Sequence, residues 1–218
     1  MISRYVLTFL ACAALSCGGY AQNPRTHQHS FGDAQKWAQV FDDPRRDEWQ
    51  KPHDVIRALA LRPDGIVADV GAGTGYFAVR LAHVVPKGRV YAVDTEPEMV
   101  KHLAERAKST GLHNLIAIKG EPQDPRIPEP ADIVLFVDVY HHVEQREGYF
   151  RKLASMLKPS GRLAIIDFKP EASMGPPRAM RIASSQVRAE LKSAGYDAVE
   201  EHSFLPNQYF LVFARAKQ

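Results

Sequence analysis

The sequence predicts one α/β domain on a mostly parallel sheet, and three observations carry that prediction. First, the apolar run Ile66, Val67, Ala68 and Val70 is followed at once by Gly71, Gly73 and Gly75. Phe77, Ala78, Val79, Leu81 and Ala82 then resume at helical spacing, so a strand feeds a helix through glycines. Second, short strand-like runs recur downstream at 88–93, 115–118, 131–137 and 162–166, with helix-like stretches among them. Third, these runs are continuously apolar rather than alternating, as strands buried on both faces require. With 218 residues the chain is long enough for one well-buried domain of this kind and too short for two.

Composition narrows the partners. A hydrophobic content of 45% and a charged content of 24% are those of a globular protein. A net charge of +3, with no stripe of Lys and Arg interleaved with aromatics, gives no footprint for nucleic acid. Residues 1–21 read as a signal peptide. Met1-Ile-Ser-Arg4 is the positive start, Tyr5 to Cys17 is an apolar stretch short of a bilayer span, and Gly19-Tyr20-Ala21 offers the small residues of a cleavage site before Gln22. Export to the periplasm or beyond is the expectation. Cys17 after Ala14-Leu15-Ser16 raises the alternative of a lipid-anchored protein, and an uncleaved anchor is the third reading. Both cysteines, Cys12 and Cys17, lie in this segment, so a mature chain would offer no disulfide, thiolate metal site or cysteine nucleophile.

The elements follow in order. Residues 22–53 form a polar lead-in containing His27 and His29, then an N-terminal helical region. Its amphipathic helix, 33–41, carries Ala34, Trp37, Ala38 and Phe41 on one face. Asp42-Asp-Pro44 breaks that helix, and a second is expected from His53 to Leu61 after Lys51-Pro52. The main domain is taken as 54–218. Its second strand, 88–93, ends on Asp94, and Thr95-Glu-Pro-Glu-Met99 opens a helix whose apolar face is Met99, Val100, Leu103, Ala104 and Ala107. Strand three, 115–118, leads into Gly120-Glu-Pro-Gln-Asp124. Strand four, 131–137, runs into Asp138-Val-Tyr140-His141-His142. A helix over 146–157, a Lys158-Pro-Ser-Gly161 turn and an apolar strand ending in Asp167 come next. The loop 169–182 carries Lys169, Arg178 and Arg181, a charge that suits either an anionic substrate or a solvated loop. Helix 184–194 and an antiparallel pair, 197–205 and 209–215, complete the chain. Tyr209 and Phe210 there are candidates for either pocket or core.

Which ligand the glycines serve is a matter of spacing. A dinucleotide fingerprint counted from Gly71 would need glycine where Tyr76 stands, and no Gly-Lys-Ser/Thr closes a phosphate loop. A nicotinamide enzyme is thereby disfavoured. Asp69-Val-Gly71-Ala-Gly73-Thr-Gly75, an acid two places before G-x-G-x-G, resembles motif I of the class I S-adenosylmethionine-dependent methyltransferases. Asp94 stands about twenty residues on, the distance at which this topology sets a carboxylate over a ribose diol. The Lys-Pro-Ser-Gly strand ending in Asp167 is similar to the fifth-strand motif of small-molecule members. The resemblance spans about 54–216 and is nearest the ubiquinone/menaquinone-type group, in an exported bacterial form.

That resemblance implies a Rossmann-like three-layer sandwich with a seven-stranded, mostly parallel sheet and one antiparallel strand. It implies S-adenosylmethionine as cofactor, held by Asp69, Gly71, Ala72, Gly73, Thr74, Gly75 and Tyr76, by Asp94, Thr95 and Met99, by Glu121 or Asp124 beside the adenine, and by Asp138. It makes Arg46 and Trp49 lid candidates. The reaction implied is in-line displacement on the sulfonium methyl by a heteroatom of a small-molecule acceptor. Strand ends at the carboxyl edge carry the chemistry of open α/β sheets, and Asp138, Tyr140, His141 and His142 gather at one. A histidine serves as a base near neutral pH without much tuning, so His141 and His142 lead the catalytic candidates. The Asn/Asp-Pro-Pro-aromatic motif of amino- and DNA-methylating members does not occur here. Asp138 and Asp167 match the acids of metal-dependent catechol-type enzymes, but Phe168 replaces their Asn ligand, and no metal is expected. The alternative reading is an exported, non-catalytic binder of a nucleoside or lipid on the same fold.

Overall fold

A computed structural model describes residues 34–217. The proposed signal segment, His27 and His29 lie outside the described residues. The segment before β1, the candidate lid, contributes α1 (Ala34–Phe41), α2 (Arg46–Gln50) and α3 (Pro52–Ala58). The main domain then runs β1 (Ile66–Val70), α4 (Tyr76–Val84), β2 (Arg89–Asp94), α5 (Pro97–Ser109), β3 (Leu115–Lys119), β4 (Ala131–Val137), α6 (Arg146–Leu153), β5 (Leu157–Phe168), α7 (Ser184–Ser193), β6 (Tyr196–His202) and β7 (Gln208–Arg215).

The seven strands form one sheet in the order β3-β2-β1-β4-β5-β7-β6. Only β7 runs against its neighbours, pairing antiparallel with both β5 and β6. The sheet is the expected one because its strands are apolar on both faces. Val67, Leu135, Ala164 and Phe210 pack on one side against Leu59, Phe77, Leu81 and Leu103 of the α3–α5 layer. Ala68, Phe136, Ile165 and Phe213 pack on the other against Phe150, Leu153, Val187 and Leu191 of α6 and α7. Burying each such side chain contributes roughly 1.5–3 kcal/mol, which favours closing both layers over leaving either face in water. From β1 the chain steps outward through β2 to β3 on one side, then crosses back to β4 on the other, so the strand order reverses between β1 and β4, where sheets of this kind open a crevice over the carboxyl ends.

Three expectations need correction. The helix expected over 146–157 ends at Leu153, and a 3₁₀ turn, Ala154–Met156, leads directly into β5. Lys158-Pro-Ser-Gly161 is an irregularity inside that strand rather than a turn before it: Ala131 pairs with Leu157, then Ile133 pairs with Arg162. Pro159 has no N–H to give a ladder, which suits it to the bulged position. The third helix starts at Pro52, whose missing N–H suits the first helical position, and stops at Ala58.

Candidate active site

The glycine turn is held by backbone bonds before any ligand is considered. The amides of Gly71 and Ala72 both donate to the Val93 carbonyl, at 2.8 and 3.0 Å, tying the loop to β2. Gly71 has φ +73°, and a Cβ there would lie 2.3 Å from Cγ2 of Val139. Gly73, at φ +55°, leaves bare backbone facing the Phe41 ring of the lid. At Gly71 only glycine combines that conformation with so close an approach, while at Gly73 a Cβ would be in ordinary contact with Phe41 and it is the positive φ that favours glycine.

Two acids face this turn. Asp94 accepts from the Gly73 amide at 2.8 Å and from the Glu96 amide at 2.9 Å. Burial raises its pKa from the ordinary carboxylate value, opposed by those amides. Asp69 is 3% exposed, and burial pushes its carboxyl up to about 7; Arg46 pulls the other way and Asp94 adds to the rise. The end of β4 supplies a third acid. Asp138 sits at φ +60°, an uncommon conformation for a residue with a side chain, pinned by its amide donating to the Ile166 carbonyl at 2.9 Å. Its carboxylate accepts from Gln50 Nε2 at 3.2 Å and from Gln208 Nε2, and burial pushes its pKa up to about 6 against the pull of Arg46.

Beyond Asp138 the chain makes a 3₁₀ turn, Tyr140–His142, and the two histidines part company. The His141 side chain is 4% exposed, with Nδ1 2.9 and 3.0 Å from the oxygens of Asp167. The His141 amide also donates to Asp167 Oδ2 at 3.1 Å, and the Phe168 amide donates to Oδ1 at 2.7 Å. A carboxylate only accepts, so Nδ1 carries a proton, and in the neutral imidazole the lone pair lies on Nε2. His142 is exposed, its ring centroid 4.1 Å from that of His141.

Tyr140 is the correction among the catalytic candidates. Its ring is fully buried and stacks on Phe150 at 5.2 Å, and its hydroxyl donates to Glu190 at 2.7 Å. It belongs to the core beneath α6 and α7. Among the cofactor candidates, Met99 is 1% exposed at the start of α5, while Thr95 is exposed in the turn after Asp94. In the loop after β3, Asp124 is committed to Lys152 at 2.7 Å, and the partly buried Glu121 lies 3.4 Å from Arg126. Among the described residues no group of three or more His, Cys, Asp or Glu is gathered as a metal site. No helix among them is long and apolar enough to cross a membrane.

The lid supplies residues that sequence reasoning missed. Asp42 reaches Thr74 Oγ1 at 3.2 Å and Arg106 at 2.7 Å. Asp47 accepts from the Tyr76 hydroxyl and pairs with Arg80 at 3.0 Å. Gln50, fully buried, joins Asp138 to Gln208. Arg46 lies 4.1 Å over the Tyr76 ring and 3.7 Å from Asp138, and Trp49 packs on Phe168 at 5.8 Å. Thr74 and Tyr76 thus face the lid as well as the cradle. Isolated polar residues far apart in sequence give no periodic or motif signal; only their neighbours Arg46 and Trp49 pointed here.

Comparison with known proteins places this geometry. The methyltransferase domain family matches residues 61–206, about two thirds of the chain. A solved S-adenosylmethionine-dependent methyltransferase from Aquifex aeolicus is 30% identical, with a TM-score of 0.76 over 83% of this chain and 97% of that one. A protein-L-isoaspartate O-methyltransferase of Aeropyrum pernix is 30% identical over 51% of this chain and 42% of its own length. A demethylmenaquinone methyltransferase of Listeria welshimeri is 28% identical over 55% of this chain and 51% of its own. The chain thus spans about half or less of these curated relatives. The family match and the near-complete overlap with the Aquifex structure show that the chain belongs to the S-adenosylmethionine-dependent methyltransferases.

Proposed function

We propose that this chain transfers a methyl group from S-adenosylmethionine to a small-molecule acceptor, with His141 taking the acceptor's proton. The observation that carries the reading is the His141–Asp167 pair at 2.9 Å, set at the same sheet edge as the glycine turn. A plain binder of nucleosides or lipids has no need of an imidazole held in one tautomer. The residues fit the cofactor. Gly71 and Gly73 hold the turn at positive φ beside both acids, Asp94 is a buried carboxylate suited to a ribose diol, and Asp69 is a second suited to an ammonium. When bound, the cofactor supplies an electrophilic methyl on a sulfonium. The chain's part is orientation, exclusion of water by α1 and α2, and a base at Nε2 of His141. His142, being exposed, is proposed as a second contact with the acceptor.

The acceptor is proposed to belong to the small-molecule, quinone-type class. The fifth-strand motif, the similarity to a demethylmenaquinone methyltransferase and the aromatic wall of Trp49 and Phe168 support that choice. Export, read from residues 1–21, stays with this proposal, and would require cofactor beyond the cytoplasm. Calorimetric titration with S-adenosylmethionine, S-adenosylhomocysteine and NAD is the first test. The first two should bind, NAD should not, and Asp94→Ala should remove binding. Transfer of labelled methyl to a panel of quinols and hydroxylated aromatics then tests the acceptor class. Cofactor binding without transfer to any of them would return the reading to a binder.

A further inference from the structure

One charged group in the crevice is left without a role by this reading. The Arg46 side chain is only 13% exposed, and burial pulls its pKa down from the ordinary guanidinium value, opposed by Asp138, Tyr76, Asp42 and Asp69. A guanidinium presents five N–H donors in a planar fork. Among the described residues Nε donates to Gln50 Oε1 at 2.5 Å and Nη1 to the Phe41 carbonyl at 2.9 Å. Nη2 stands 3.7 Å from Asp138, too far for a hydrogen bond. The face of the group rests on Tyr76, the residue directly after the glycine turn. The lid thus fixes Nε and one N–H of Nη1, while the Nη2 edge, on the Asp138 side, makes no hydrogen bond among the described residues.

The charge pattern says what that edge is for. Of the three acids around the turn, Asp94 is assigned above to the ribose, and the nearby Arg80 and Arg106 are paired with Asp47 and Asp42, which leaves Asp69, Asp138 and Arg46 for the methionine end. The methionine end of the cofactor carries the opposite set, an ammonium, a sulfonium and one carboxylate. Two acids can meet the two cations, but the carboxylate then needs a cation of its own, and a bidentate arginine is the side chain best shaped for it. We infer that Arg46 receives the cofactor's carboxylate, so that the lid is a wall of the cofactor site and a reader of its amino-acid end. The assignment rests on the cradle proposed above.

The test compares ligands that differ at this group. Wild type, Arg46→Gln and Arg46→Lys are titrated calorimetrically with S-adenosylmethionine and with decarboxylated S-adenosylmethionine, after circular dichroism and thermal melts establish folding. Charge-assisted hydrogen bonds of this kind correspond to about 10- to 150-fold in affinity. Arg46→Gln should weaken S-adenosylmethionine by that factor and leave the decarboxylated ligand within about threefold, with lysine intermediate because it lacks the fork. Equal losses for both ligands would make Arg46 a staple of the lid only and overturn the assignment. Tighter binding by Arg46→Gln would make it a plug and overturn it as well. Should that variant not fold, wild type alone decides, since no preference for the carboxylated ligand refutes the idea. If wild type binds neither ligand, the cradle reading itself has failed, whereas binding without carboxylate preference removes Arg46 alone.

Discussion

Asp69→Asn should make the cofactor-free protein more stable at pH 8 while removing its affinity for cofactor. Asp69 is 3% exposed and titrates at about 7, against an ordinary 3.8. That difference corresponds to about 4 kcal/mol of penalty for holding the charge in the fold. The folded state keeps its proton longer than the unfolded chain does, so stability falls as pH rises between about 4 and 7. The penalty is complete above that window and absent below it. Asparagine keeps the shape and never ionises. Arg46 loses one neighbouring acid in the exchange, so a net gain of about 1–3 kcal/mol at pH 8 is expected, shrinking toward zero near pH 4. For a domain of this size that is a rise of several degrees in Tm. Thermal melts of both proteins from pH 4 to 9, with calorimetry on S-adenosylmethionine at pH 8, make the measurement. Melting curves that stay parallel across the range would show that Asp69 is not the titrating group. Wild-type affinity in the variant would remove it from the site.

Two further outcomes follow from the same geometry. His141→Ala should lower kcat by roughly 10²–10⁴-fold with cofactor affinity unchanged, and Asp167→Asn should also slow turnover by letting the imidazole adopt the wrong tautomer; unchanged rates for His141→Ala and His142→Ala alike would end the base assignment. Gly71→Ala combines a φ of +73° with a Cβ 2.3 Å from Val139, whereas Gly111→Ala meets a φ of +67° with nothing within 4 Å. Urea melts should show about 1 kcal/mol lost at Gly111 and clearly more at Gly71, and equal losses would refute the close approach.

The sheet and the glycine turn were legible because their signals are local. A buried strand announces itself as an apolar run, and the glycines and Asp94 sit at spacings set by one strand-turn-helix-strand unit. Strand four, for example, was read at its observed bounds, Ala131–Val137. Errors fell where two local signals competed. Lys158-Pro-Ser-Gly161 has turn chemistry, yet tertiary pairing with β4 carries it as a bulge. Tyr140 lay next to two histidines in sequence, but the 3₁₀ turn sends its ring into the core while His141 turns to Asp167. The Gln50–Asp138–Gln208 cluster was illegible for another reason: its members lie 88 and 70 residues apart, and a single buried glutamine has no sequence pattern.

The lid's manner of attachment bears on how a ligand could enter beneath it. Helices α3 and α4 meet through buried aliphatic and aromatic side chains, whose separation would expose apolar surface to water. Much of the contact made by α2 and the turn before it is polar instead. Asp42 holds Thr74 and Arg106, Asp47 holds Tyr76 and Arg80, and Arg46 and Gln50 reach Asp138. The side chains of Asp42, Arg80 and Arg106 are about one quarter exposed, so water can replace their bonds as the pairs part. Opening α2 would let water take over those exposed bonds, but it would also uncover the fully buried Gln50 and part the Trp49–Phe168 contact. A cofactor that offers its own carboxylate to Arg46 and its own cations to Asp69 and Asp138 would restore on closing what it displaced. That places the driving force for closure in the ligand's charges, so a neutral adenosine fragment should leave the lid looser than the whole cofactor does.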